Sequence, residues 1–297
     1  MSSSHTERLR ILAAFLLVSS GLFAQGLGTI VGTVTDPSGG VVPSARIKIT
    51  DEGTSQTREA TTNTQGYYVF PSLRPSSYSL SVTVPRFTPA VRKGIILEAD
   101  QTATVNVAVA LEQATEAVTV EAAAQQIDTS TATLREVVDR RRIVEIPLNG
   151  RNAASLALIT SGTVLAPASA DEGNTKTFPV TQTISANGTR QNQASFRLDG
   201  ANNNDIYTNV NQPFPFPDAI QEFSVQTSNY SARYGGNAGG VVNIVTRSGD
   251  RQLHGNVFEF NRNAVFNARQ FFAAARDQLK RNQFGGTLGG PVNIPGI

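Results

Sequence analysis

From Gly28 to Leu111 apolar and polar residues alternate with the two-residue period of a β-strand. Residues 29–35 alternate around Ile30 or Val31, the turn formers of 36–40 reverse the chain, and 45–50 alternate again. Further runs cover 66–70, 78–84, 94–97 and 102–111, and in the last of these Val105, Val107 and Val109 share one face. About six short strands separated by Gly, Pro and Asp turns predict a β-sandwich.

The pattern then changes. Residues 112–130 are polar and Ala-rich and read as a linker, broken by one strand-like island of Glu116, Ala117, Val118, Thr119 and Val120. Leu134, Val137, Val138 and Ile143 follow at helical spacing, and Pro147 stops the run. Residues 146–162 predict a loop and a short amphipathic helix with Leu156 and Ile159 on one face. A strand over 194–198 leads into an Asp199-Gly200 turn, and 218–249 reads as helix or turn, strand, glycine hairpin, strand. In that hairpin Gly235, Gly236, Gly239 and Gly240 feed the β-branched run 241–246. Flexible residues followed by stiff ones predict a tight turn that delivers a buried strand. Residues 213–217, Pro-Phe-Pro-Phe-Pro, predict a rigid exposed loop, either a substrate contact or a plain connector. Beyond Asp250, 253–260 and 283–292 suggest two more strands.

Composition narrows the function. With 297 residues there is room for about two domains, and 16% charged residues, 25 Gly, 14 Pro and no Cys or Trp indicate a mostly β, loop-rich chain. Arg8 and Arg10 precede an apolar run, 11–18, and small residues lead to Ala24. This predicts an export signal over 1–24. The run is shorter than the ~20 apolar residues a spanning helix needs, which favours cleavage over an uncleaved anchor, and without cysteine a lipid anchor is excluded. Removing Arg8, Arg10 and Glu7 with the leader leaves 23 basic and 22 acidic side chains. Arg140, Arg141 and Arg142 therefore read as a solvated helix face and not as a nucleic-acid patch. His5 lies in the leader, so His254 is the one histidine of the mature chain. A transition-metal site or a nucleophile–His–Asp arrangement is then unsupported, and "GGNAGG" is followed by a strand where a phosphate loop needs a helix. No enzymatic activity, cofactor or metal is expected.

Two resemblances add to this reading. "GTIVGTVTDPSGGVVPSARIKI", "TNTQGYYVFPSL" and "YSLSV" resemble the carboxypeptidase regulatory-like domain, a transthyretin-like/Ig-like β-sandwich, over 28–112. Ser76-Ser77 stand where that family usually has a glycine. "LNGRN", "LDGANNND" and "YSARYGGNAGGVVNIVTRSG" resemble the plug of TonB-dependent outer-membrane transporters, in the Oar-like branch. The resemblance implies a linker with a TonB box over 113–130, an α+β plug over 131–249 and the first strands of a barrel over 250–297. Glu116, Ala117, Val118, Thr119 and Val120 would form the box, captured as an added strand by a TonB-type periplasmic energy-transducing partner. The alternatives for this island are a final strand of the sandwich or a plain linker. Asp199, Gly200, Gly235, Gly236, Gly239 and Gly240 would be structural turns of the plug. The implied function is uptake across the outer membrane of a ligand the sequence does not identify; the rival is a secreted or surface adhesion-type sandwich. Residues 251–297 hold roughly two to four membrane strands where the family implies about 22. The chain is therefore expected to be the N-terminal part of a longer protein, a truncated gene or a fragmentary gene model.

Overall fold

The computed structural model describes residues 26–111, 118–121 (backbone only), 131–165, 183–190, 192–269 and 271–291. The expected leader, Glu116 and Ala117 lie outside the described residues.

The first unit contains β1 (Gly28–Thr35), β2 (Arg46–Asp51), β3 (Thr57–Thr61), β4 (Tyr67–Leu73), β5 (Ser76–Thr83), β6 (Phe87–Thr88), β7 (Ala90–Leu97), β8 (Thr102–Thr104), β9 (Val107–Ala108), β10 (Ala110–Leu111) and β11 (Val118–Glu121). One sheet runs β4-β1-β8, with β9 also on β1, and the other runs β11-β7-β5-β2-β3. A separate small ladder joins β10 to β6. Period-2 alternation turns Ile30, Ile47, Ile49, Phe70, Leu80, Val82, Ile95 and Leu97 into one core between the sheets. The run 102–111 is three short strands and not one. At the break, Asn106 Oδ1 accepts from Thr33 N (3.0 Å) and Oγ1 (3.1 Å), where a continuous ladder would use a main-chain carbonyl. Val105, Val107 and Val109 remain buried as the alternation predicts. The polar edge strand β3 carried no hydrophobic signal and was not anticipated. Ser76 and Ser77 open β5 directly; their hydroxyls donate to Asp51 (3.1 Å) and Glu52 (2.6 Å).

The second unit contains β12 (Leu134–Asp139), α1 (Arg140–Glu145), β13 (Thr163–Leu165), β14 (Ile184–Ala186), β15 (Ser195–Leu198), β16 (Ala201–Asn202), β17 (Ile220–Ser228) and β18 (Val241–Thr246). Its sheet runs β12-β17-β18-β15-β16, with β18 antiparallel to β17 and parallel to β15. Val138, Ile143, Leu156, Phe196, Phe223, Val242 and Ile244 form its core.

Two helical expectations need correction here. Residues 134–139 form a strand, because pairing along β17 satisfies a main-chain edge that a helix would leave bare. The helix begins only at Arg140, where Asp139 caps it by accepting from Arg142 N (3.0 Å). Arg141 is solvated, as expected of that face. Residues 153–159 form a 3₁₀ helix that buries Ala153, Ala154, Leu156 and Ala157. Ile159 is exposed, since Thr160 turns inward after it and Thr163 Oγ1 returns to the Ala157 carbonyl (2.5 Å).

Last comes a hairpin of β19 (His254–Asn263) and β20 (Lys280–Gly289), in unbroken antiparallel register. β20 starts three residues before the expected 283. Val257, Phe284 and Leu288 point outward and are almost fully exposed. No helix among the described residues is long and apolar enough to cross a membrane, which says nothing of strands.

Candidate functional site

Of the five residues expected to meet a periplasmic partner, Val118, Thr119 and Val120 are described through their backbone. They lie in β11, parallel to β7, with Val118 opposite Ala90, Thr119 opposite Val91, Val120 opposite Arg92 and Glu121 opposite Lys93. The segment is thus an edge strand of the sandwich sheet, the arrangement the sequence left open beside the free linker.

Asp199 and Gly200 have φ of 51° and 82°, the left-handed pair of a two-residue type I′ turn, and they join β15 to β16. The Asp199 carboxylate also accepts from Thr246 N and Oγ1, both at 2.8 Å, and so ties this turn to the end of β18. The glycine-rich link between β17 and β18 is longer than a tight hairpin and contains a 3₁₀ turn over Ala232–Tyr234 that buries Tyr234. Gly235 closes that turn, and Gly236 follows it with positive φ. The demanding position is Gly239, where a Cβ would lie 2.6 Å from the Gln193 carbonyl carbon. Gly240, with φ of 89°, then sends the chain between β17 and β15.

Sequence reasoning missed two polar junctions. In the first, Arg151 from "LNGRN", itself partly buried, pairs with the buried Asp218. Its guanidinium stacks on Phe258 (4.8 Å) and Phe260 (4.2 Å) of β19. Asp218 also accepts from Asn256, and Gln283 donates to the Gly150 carbonyl at 2.8 Å. Phe216 packs on Phe258 at 5.2 Å and Phe214 on Phe196 at 6.0 Å. The Pro-Phe-Pro-Phe-Pro loop is therefore half-buried packing and not an exposed arm.

The second junction joins the sandwich to the second unit. Glu222 on β17 accepts from Ala99 N (3.0 Å) and from Arg135 Nη2 (2.8 Å), and Arg135 also reaches Glu98 (3.6 Å). Burial pushes the Glu222 carboxyl above its usual range, while Arg135 pulls the other way. Nearby, Arg233 pairs with Asp100 at 2.6 Å and donates to the Tyr234 hydroxyl at 2.6 Å. Burial, with Asp100 close by, pushes that hydroxyl up to about 12. Period-2 geometry explains the polarity: Glu222, Ser224, Gln226 and Asn243 occupy the sheet face opposite the core, and the sandwich loop at 98–100 helps to cover it. His254 faces Asp250 at 3.3 Å. Among the described residues no group of His, Cys, Asp and Glu could hold a metal ion.

The model of the carboxypeptidase regulatory-like domain matches residues 29–110, and that of an outer membrane β-barrel domain matches 245–294. Across 295 residues, 95% of this chain, the sequence is 30% identical to the TonB-dependent transporter Oar of Myxococcus xanthus. By sequence, the chain is similar to this transporter. It spans 27% of the length of that relative. Among solved structures, the siderophore receptor PirA of Acinetobacter baumannii is 23% identical over 53% of this chain and 22% of its own, with a TM-score of 0.41. The ferric enterobactin receptor of Pseudomonas aeruginosa is 21% identical over 54% and 22%, with a TM-score of 0.40.

Proposed function

We propose that this Oar-like chain is the N-terminal region of an outer-membrane transporter that imports a ligand with energy supplied by a TonB-type periplasmic protein. In this reading 28–112 is a transthyretin-type sandwich, 113–130 carries the TonB box, 131–249 is the plug and 250–297 begins the barrel. The observation that carries it is the hairpin β19–β20. Its outer face is apolar at Val257, Phe284 and Leu288, while its inner face grips the second unit through Phe258, Phe260 and Gln283. A wall that is greasy outside and bonded to a polar insert inside is what a membrane barrel around a plug requires. The order of sandwich, strand segment, sheet and hairpin along one chain and the 30% identity to a TonB-dependent transporter over 295 residues support the same reading.

The test uses the chain with its complete barrel. Val118→Pro deletes a main-chain donor and resists strand geometry, whereas Thr119→Ser leaves the backbone intact. Val118→Pro should abolish uptake while abundance and surface binding of ligand stay normal, and Thr119→Ser should leave all three unchanged. Uptake at the parental rate in the Val118→Pro variant would refute the box.

A further inference from the structure

A strand of a sheet has two edges, and β11 uses only one. It closes the β7 side of the order β11-β7-β5-β2-β3 and is itself the terminal strand. Alternate main-chain N–H and C=O groups of a strand point to opposite sides, so half of those in β11 face β7 and half face away. The outward row is a template for pairing with another chain.

Delivery of this strand is built into the first unit. β10 pairs with β6, with Leu111 opposite Phe87, and β6 stands immediately before β7. Only residues 112–117 separate Leu111 from Val118, so the tether keeps the segment close to the N-terminal end of β7. The opposite edge of the same sheet is β3, whose exposed Arg58 and Glu59 sit on a polar strand, the usual protection against unwanted pairing.

We infer that the sandwich is a presentation platform: it holds Val118–Val120 of the box as a preformed strand, and the periplasmic partner adds an edge strand to the free side of β11, extending the sandwich sheet by one. This rests on the box reading above and gives the sandwich a role within it. A strand already extended loses little conformational freedom when a neighbour joins it, whereas a free linker must be ordered at that moment. Docking on β7 therefore raises the binding-competent fraction of the box and tightens capture. The competing arrangement, in which the partner must first strip β11 from β7, predicts the reverse.

Because the chain contains no cysteine, a single engineered pair can be cross-linked cleanly. Val91→Cys with Thr119→Cys puts a cysteine at each of two register partners, and Lys93→Glu puts a second acidic residue at the register partner of Glu121 without altering residues 116–120. The measurement is the affinity of the barrel-containing chain, purified in detergent, for the purified periplasmic domain of a TonB-type protein. The cross-linked pair should bind within about twofold of its reduced form, and Lys93→Glu should weaken binding severalfold. A loss of tenfold or more on cross-linking, or tighter binding by Lys93→Glu, would show that the sandwich sequesters the segment and would overturn the proposal. Failure of the pair to cross-link while the reduced chain binds normally would also overturn it, leaving the box intact. If the unmodified chain does not bind the domain at all, the box reading fails first and the platform fails with it.

Discussion

Replacing Arg151 tests how the second unit is fastened to the hairpin. Arg151→Ala removes the partner of Asp218, whose side chain is only 4% exposed, and strips a cation from two aromatic rings. Leaving one member of a buried pair uncompensated costs about 3–5 kcal/mol. Each stacked ring adds about 0.5–2 kcal/mol, with overlap between the terms. The remaining hydrogen bond from Asn256 offsets part of the cost of the unpaired charge on Asp218. We therefore expect a loss of about 3 kcal/mol or more, which is about two orders of magnitude in the local opening constant. Hydrogen exchange of the β17 and β18 amides, followed by mass spectrometry of the 297-residue chain at pH 7, reads that constant. Arg151→Lys keeps the charge but not the planar stack, so its loss should be smaller, about 1–2 kcal/mol. Adding Asp218→Asn to Arg151→Ala removes the stranded carboxylate and should recover a large part of the protection. A change of less than tenfold for Arg151→Ala, or no recovery in the double variant, would refute this account.

Gly239→Ala should destabilise the β17–β18 region by about 1–3 kcal/mol, because the new methyl meets the Gln193 main chain as well as the Thr189 hydroxyl. The same exchange experiment reads it, with Gly235→Ala as the milder control, since its Cβ would meet only the Ala232 carbonyl at 3.1 Å. The third prediction is a pH dependence. The folded pKa of Glu222 is raised by burial, so its contribution is complete below the unfolded value of about 4.3 and fades as pH rises through the raised value. Glu222→Gln removes that titration. The stability of the parent relative to the variant should therefore shrink from pH 4 to pH 8 in urea unfolding, and a gap that widens would mean that Arg135 outweighs desolvation.

Legibility followed the range of each interaction. The valine alternation at 105, 107 and 109, the Asp199-Gly200 turn and the strand 241–246 are local, and the sequence announced each of them. Leu134, Val137 and Val138 fit a helix and a strand equally well over so few residues. Only the waiting edge of β17, far along the chain, decides for the strand. The same limit hid both junctions. Glu222 meets Ala99 across 123 residues and Arg151 meets Asp218 across 67, and nothing beside either residue marks its partner. The backbone of β11 falls between these cases: its extended character was visible, but not the β7 edge that receives it.

The place of β18 in its sheet sets an order of events. It is the last strand of the second unit along the chain, yet it lies in the middle, with β17 on one side and β15 on the other. A chain emerging from its N-terminus can close the sandwich once Leu111 is free. Phe196 and Phe223, by contrast, have no Val242 or Ile244 to pack on until some 130 residues later. Until then β15 and β17 face each other across an empty slot, two bare edges that any extended segment could occupy. β18 is a keystone delivered last, and the interval before its arrival is when the newborn chain most needs a chaperone.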